Sequence, residues 1–540
     1  TSKTLSLLSV MATLHDDVVP GTVHLVDIGG DMHTRHLDGN KEIVLVPKPS
    51  SDPEDPLNWT RKRKMLSIGM CYVYTVGIGI STAVQYSVLT QIAEDTGITV
   101  SQLNLGTGLM FLFLGWACLL WQPLALVYGR RGVYVASSFL SIWPVLWSAY
   151  STSKGEWYAH RIILGIFASP VESLPRHLYG NLCLPLIWIK LLAPFFAGWI
   201  DFAGGWQWVM WFGAIVQALA TIIIYFFMEE TMYFRNTMEG VDTGALSNGA
   251  STPDETTTPT EKSEKTAVSP TVEGSNAVLT HKKTYWSKLQ LFVKMDGRPS
   301  LKQLWTMMYR PLLIMYHFPC VTWAGFVYGT CLSWYNVLNA TASSVLSAAP
   351  YNFSSGLVGT AYLSPFIGAL LGAVWSGWST DKFAIRLARR NSGVREPEQR
   401  LWALGASGIL CAAGLILWGV GAARGVHWFG LIVGLGMLAF SVICGGSISL
   451  SYDVDCFKEI AGESMISVIV IRNTLGFAVS YGINPWINGM GLQNCFVTVA
   501  MVALACTFTF VPMIFFGKSL RKLSAKKYWE YVATSAAPSH

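Results

Sequence analysis

Several ionisable side chains stand inside long apolar stretches of this 540-residue chain, among them Arg161, Glu172, His317 and Arg472. An ionisable group in a bilayer costs on the order of 2.5–3.5 kcal/mol on insertion scales, so each needs a reason to be there. Glu172 can take up and release a proton. Arg161 lies eleven residues before it, close to three helical turns, so the two face one direction about 16 Å apart along the axis. The bland alternatives are a water-exposed helix end for Glu172 and snorkelling to the outer surface for Arg161. Arg472, next to Asn473, is too deep to snorkel and calls for a carboxylate, a backbone carbonyl or an anionic substrate group. Lys190 reads the same way. His317 has a resting pKa suited to proton transfer, but it reads better as a hydrogen-bonded packing histidine. Rings are plentiful around these groups: Tyr72 and Tyr74 early in the chain, Trp323, Tyr328, Trp334 and Tyr335 later. Aromatic cavities bind flat or cationic molecules, although most such rings in a bilayer are interfacial anchors.

The elements that must position these groups follow from composition. The chain is 52% hydrophobic and 13% charged, about half the roughly 25% charge of a soluble protein. Its net charge of +6 is too small to suggest a nucleic-acid partner. Apolar runs of the length a membrane helix needs occur six times before a polar middle and six times after it. They span 65–87, 105–126, 132–151, 157–174, 179–200 and 206–228, then 312–334, 355–378, 402–422, 427–450, 464–486 and 495–516. The expected fold is an all-α membrane protein with twelve transmembrane helices in two six-helix pseudo-repeats. Its parts are a tail over 1–64, a first half over 65–228, a linker over 229–305, a second half over 306–516 and a tail over 517–540. The linker is rich in Thr, Ser, Pro and Glu over 239–280 and reads as disordered. Residues 281–305 are basic and amphipathic, as a surface helix would be. Lys and Arg cluster before the first span, after the second and eighth, in the linker and after the twelfth. The positive-inside rule therefore puts both termini in the cytoplasm.

The halves echo each other at the ends of spans 2 and 8, where Gly129-Arg130-Arg131 and Gly377-Trp-Ser-Thr-Asp381-Lys382 stand. Both read as short basic links. Asp381 is the expected gate residue, its charge set against the positive N-terminus of a helix in the other half, most naturally helix 5. Gly368-x-x-x-Gly372 allows close helix approach, and Pro194 with Gly198 combines a kink with small packing residues. Asn339-Ala-Thr and Asn352-Phe-Ser are glycosylation sequons in the link expected outside.

The stretches Leu45-Val-Pro-Lys-Pro-Ser-Ser-Asp-Pro-Glu-Asp-Pro-Leu-Asn-Trp59, Tyr128-Gly-Arg-Arg131, Arg161-Ile-Ile-Leu-Gly165, Glu229-Glu-Thr-Met-Tyr233 and Leu387-Ala-Arg-Arg-Asn-Ser-Gly-Val-Arg-Glu-Pro-Glu-Gln-Arg-Leu401 carry a family likeness. With them the chain resembles the major facilitator superfamily, in its twelve-helix drug:proton antiporter branch as found in fungi. The resemblance implies alternating access, export of a drug-like compound or secondary metabolite in exchange for protons, and the plasma membrane as location. It adds weight to Arg161 as a functional residue. Two departures stand out. Leu126 replaces an acidic residue at the end of span 2, which predicts a weakened inner gate. The region joining spans 4 and 5 is shorter than the family's pattern by about fifteen residues or more.

No enzyme is expected. GxSxG, HExxH and GxGxxG in a suitable setting are missing, and the 10 Cys form no CxxC pair or zinc spacing. No cofactor or metal is expected; the proton gradient is the energy source, and the partners are a small-molecule substrate, protons and lipid around a monomer. Two alternatives remain: proton-coupled uptake of a nutrient or organic cation, and a nontransporting sensor or inactive copy.

Overall fold

The computed structural model describes residues 19–21, 23–24, 36–37, 40–44, 59–179, 185–231, 289–291, 301–390 and 394–534. The 239–280 linker stretch, the 180–184 join and the side chain of Lys190 lie outside the described residues. Among the described residues, twelve helical passes can be followed, with shorter helices and strands between and before them. In the first half α1 is Arg61–Ala83, α2 is Val100–Trp116 with Cys118–Tyr128, and α3 is Arg130–Ser148. Then come α4, Lys154–Ala168 with Pro170–Tyr179, α5, Pro185–Gly204, and α6, Trp206–Phe227. In the second half α7 is Pro319–Ser347, α8 runs in pieces from Ser355 to Arg390, α9 is Leu404–Ala423 and α10 is Trp428–Cys456. The continuous stretch Ala461–Phe508 turns at Gly491, where φ is 75°. That turn divides it into α11, 461–490, and α12, 492–508, which Phe510–Thr534 prolongs. Seven of these described stretches, or eight counting one bent pair, are by themselves long and apolar enough to cross a bilayer.

Local chemistry sets the helix ends. Thr99 and Gln102 form a reciprocal capping box at the start of α2, and Ser153 accepts from the Glu156 backbone N–H at the start of α4; each satisfies otherwise orphaned donors. Gly97 takes the left-handed conformation that closes the short helix Leu89–Thr96. The outward faces carry Phe139, Trp143, Phe227, Leu371 and Phe515 in exposed positions, as lipid-facing surfaces do.

Packing repeats between the halves. In the first, α2 packs on α4 and α3 on α6; in the second, α8 packs on α10 and α9 on α12. The halves meet along α2 against α11 and α5 against α8. Each half holds its own apolar clusters. A fifth, small cluster of Cys118, Ile466, Ile469 and Val470, with Leu119 and Met315 against it, bridges them. Four short strands stand at the end of the bundle that carries the basic links, or before α1. Val23–His24 pairs antiparallel with Val394–Arg395, and His36–Leu37 with Asn40–Val44.

The structure shifts two boundaries. Span 7 does not begin at 312: Leu301–His317 is a separate helix, bent by 93° from Pro319–Ser347. The break falls at Phe318, which is non-helical (φ −120°, ψ 88°) immediately before Pro319, where proline excludes a continuous helix. α7 then extends to Ser347 by burying Thr341 and Ser343, polar residues that read as a loop in the sequence. Span 8 does not end at 378 either. A π-turn over Trp375–Ser379 leads straight into Thr380–Arg390, so Gly377, Asp381 and Lys382 lie inside a helix and not in a link.

Candidate functional site

Glu172 and Arg472 meet across the interface between the halves. Glu172 sits in the first turn of the Pro170–Tyr179 segment of α4, and Arg472 lies eleven residues into α11. Arg472 Nη2 is 3.0 Å from Glu172 Oε2, with side-chain exposures of 3% and 11% respectively. Arg472 also donates from Nη1 to the Tyr328 hydroxyl at 2.9 Å and from Nη2 to Asn473 Oδ1 at 3.0 Å. Its guanidinium carbon lies 4.8 Å from the centre of the Tyr328 ring. Such a pair, desolvated and charge-assisted, is strongly coupled: remove one charge and the other is left buried alone. Gly115 of α2 makes the approach possible, since a Cβ there would lie 2.7 Å from Asn473 Cβ. Of the aromatic residues singled out in the sequence, Tyr328 is the one that touches an ionisable group at this site.

Arg161 is separate from this pair. It is 2% exposed and stacks over Trp157 at 4.7 Å, while its Nε has no hydrogen-bond partner among the described residues. Beside it His160, 0% exposed, has no partner for either ring nitrogen and packs edge-on against Trp157. The shared helix face therefore leads Arg161 and Glu172 to different neighbours, three turns apart.

Contacts close the interface at both ends. Toward the end opposite the basic links, Thr90 and Ser343 hydroxyls lie 3.0 Å apart and Asn104 Nδ2 donates to Ala340 O at 3.2 Å. Midway, Trp116 Nε1 donates to Thr474 Oγ1 at 3.1 Å. Along the second seam, a Cβ on Gly198 would lie 2.4 Å from Ser355 O, and one on Gly359 2.9 Å from Pro194 O. Toward the basic end the Cys118–Ile466–Ile469–Val470 cluster fills the gap. In this arrangement the bridging cluster and the Glu172–Arg472 pair join the two halves.

The basic links are joints within each half. Gly129, with φ 101°, ends α2, and the Arg130 and Arg131 backbone N–H groups donate to Glu230 Oε1 and Oε2 at 3.3 and 3.0 Å. A carboxylate there answers the positive end of α3. The buried Arg131 side chain donates to Met228 O and Tyr225 O, each at 2.7 Å, and to Leu289 O. The second half has a buried ion pair at the corresponding place: Arg521, in the helix that prolongs α12, donates to Glu398, before α9, at 2.9 and 2.8 Å. Glu230, Glu398 and Arg521 could not be singled out from the sequence. Glu230 and Glu398 lie in the stretches that carry the family likeness, but nothing in their spacing shows which helix end they cap.

Other sequence candidates fall elsewhere. His317 is not in α7; it closes the lead-in helix, its Nδ1 3.1 Å from the Tyr531 hydroxyl. Asp381, largely exposed, pairs with Arg400 of its own half at 3.2 Å, and Arg400 in turn reaches Asp455 at 3.2 Å. Lys382 Nζ stands 3.7 Å over the Trp378 ring. Asn339 is buried within α7 at 3% exposure, which removes it as a glycosylation acceptor, because α7 runs to Ser347, more than three turns past the expected end at 334. Asn352 remains in the exposed turn that follows. Gly368 and Gly372 face α10: a Cβ on each would lie 2.0 Å from Gly436 O and 2.8 Å from Phe440 O.

The comparisons with known proteins agree with this architecture. The sequence profile of the Major Facilitator Superfamily matches residues 188–465. An uncharacterised MFS-type transporter of Schizosaccharomyces pombe is 28% identical, with 95% of this chain and 94% of that one aligned. Protein HOL1 of Saccharomyces cerevisiae is 25% identical over 96% and 98% of the two chains. The MFS transporter cpaT of Aspergillus oryzae is 26% identical over 90% and 95%. Among solved structures, the nucleoside transporter NupG superposes with a TM-score of 0.50 at 12% identity over 83% of this chain and 99% of that one, a likeness of fold. With two packed six-helix halves and a profile match over half its length, the chain belongs to the major facilitator superfamily and is a multi-pass membrane transporter.

Proposed function

We propose that this transporter exports a small organic molecule, a drug-like compound or secondary metabolite, in exchange for protons, and that the Glu172–Arg472 pair couples the two. The observation that carries this is a buried carboxylate–guanidinium bond joining the halves at 3.0 Å. An ionised Glu172 holds α4 against α11 and keeps the basic end shut. A proton arriving from the opposite side neutralises it, and the halves part at the basic end. Substrate then enters from that side as the proton leaves, and the restored pair closes the basic end while the other opens. Protons therefore run inward and substrate outward. The clustering of Lys and Arg at one end supports a cytoplasmic basic end and cytoplasmic termini, and the plasma membrane is the location that gives this exchange a proton gradient.

The test is flux. Cells producing the protein are loaded with labelled compounds from a drug panel, and efflux is followed with and without a protonophore. Retention on adding the protonophore, together with pH-independent flux in Glu172→Gln, is the expected result. Loss of accumulation in place of retention means uptake by the same machinery, and binding without flux means a sensor; either outcome rejects export.

A further inference from the structure

The segment before α1 is seated on the wrong half. Residues 19–21 and 23–24 precede the first helix of the first half, yet the contacts of Pro20, Gly21, Val23 and His24 lie on the second. The buried Pro20 offers its carbonyl to Arg521 Nη1 at 2.5 Å. That guanidinium is 0% exposed and already holds Glu398 through Nε and Nη2, so removing the segment would strip an acceptor from a buried donor. Gly21 follows with φ 81°, and a Cβ on it would lie 2.6 Å from Asp455 O and 2.8 Å from Cys456 Cα; conformation and space both demand glycine. Val23 and His24 then add antiparallel to Arg395 and Val394, and Arg395 itself binds Asp455 at 2.7 Å. Strand addition to an exposed edge is a recurring way for a protein to capture an extended peptide.

The seat is close to the closed gate. Asp455 and Cys456 end α10, and the short link after them opens α11. Asp453, two residues before Asp455, accepts from Ser464 Oγ of α11 at 2.8 Å. α11 carries Ile466, Ile469 and Val470 of the bridging cluster, and Arg472. A peptide clamped on the end of α10 therefore fixes the turn from which both closing elements of the basic end hang.

We propose that residues 19–21 and 23–24 form a strap, docked in cis in a groove made by the 394–395 edge, Asp455–Cys456 and Arg521, that holds the basic end of the transporter closed. This rests on the alternating-access reading, but not on the proton or on the direction of transport. Releasing the strap shifts the population toward the state open at the basic end.

Cys118, buried in the bridging cluster, supplies a readout that needs no substrate. The purified full-length protein is treated with N-ethylmaleimide, and alkylation of Cys118 is followed at peptide level by mass spectrometry. Gly21→Val, which cannot seat, is expected to raise the Cys118 rate several-fold. The His24→Cys/Val394→Cys pair, placed in register, is expected to cross-link on mild oxidation and to lower that rate below wild type, with reductant restoring it. Failure of the pair to cross-link, an unchanged rate in Gly21→Val, or a cross-linked protein alkylated at the reduced protein's rate overturns the proposal. The cross-link is a gain of constraint, so it stands as a test even if Gly21→Val does not fold. A coupled pump with an unaffected Cys118 rejects the strap alone, whereas flux that ignores the proton gradient rejects the coupling alone.

Discussion

Glu172 of the first half and Arg472 of the second form a 3.0 Å ion pair in the interior of the bundle. It joins two residues 300 positions apart in sequence. Neither charge is stable there by itself, because losing one leaves the other buried and unpaired.

Breaking the pair from one side should cost more than removing it. Glu172→Gln leaves the Arg472 charge, among the described residues, with Tyr328 and Asn473 as its hydrogen-bond partners, a loss on the order of 3–5 kcal/mol for a desolvated pair. The Glu172→Gln/Arg472→Met double variant should recover most of this. Thermal unfolding of the detergent-purified proteins measures both; additive losses would mean the pair is not coupled.

The α3–α6 joint should depend on a planar guanidinium. Arg131→Lys keeps the charge but loses the fork that holds Tyr225 O and Met228 O, leaving buried carbonyls short of donors at about 1–3 kcal/mol. The same thermal measurement should show a clear drop, while Arg61→Lys, an exposed site, should not move it.

Closing the far end covalently should arrest the cycle. Thr90 and Ser343 lie within hydrogen-bonding distance across the interface, so Thr90→Cys/Ser343→Cys should cross-link on oxidation. Flux should fall to background and return with reductant. Continued flux through cross-linked protein would show that this contact does not open during transport.

Two glycines of α8 should respond in opposite ways. Gly368→Ala drives a methyl group to 2.0 Å from Gly436 O, a backbone clash costing about 1–3 kcal/mol. Gly377→Ala meets nothing within 4 Å and should stay within about 0.5 kcal/mol of wild type. Comparable melting temperatures for the two variants would contradict the α8–α10 packing.

What the sequence determined by itself was everything the bilayer dictates. A lipid solvent demands apolar runs of fixed length with satisfied backbones, so the twelve passes, the two halves and the bearing of the basic links can be read from one residue string. The demand that a buried charge find a partner is equally local, which is why Arg161, Glu172 and Arg472 stand out in a chain of 540. Who the partner is depends on which helices touch, and that only the tertiary structure decided. It gave Glu172 to Arg472 and not to Arg161, sent His317 to Tyr531 and Asp381 to Arg400, and folded Asn339 into α7. It also set Glu230 against the start of α3 and Arg521 against Glu398. The reason is one of range. Hydrophobic length is a property of neighbours along the chain, whereas an ion pair is made between neighbours in space, and in a bundle of long helices those lie on different passes.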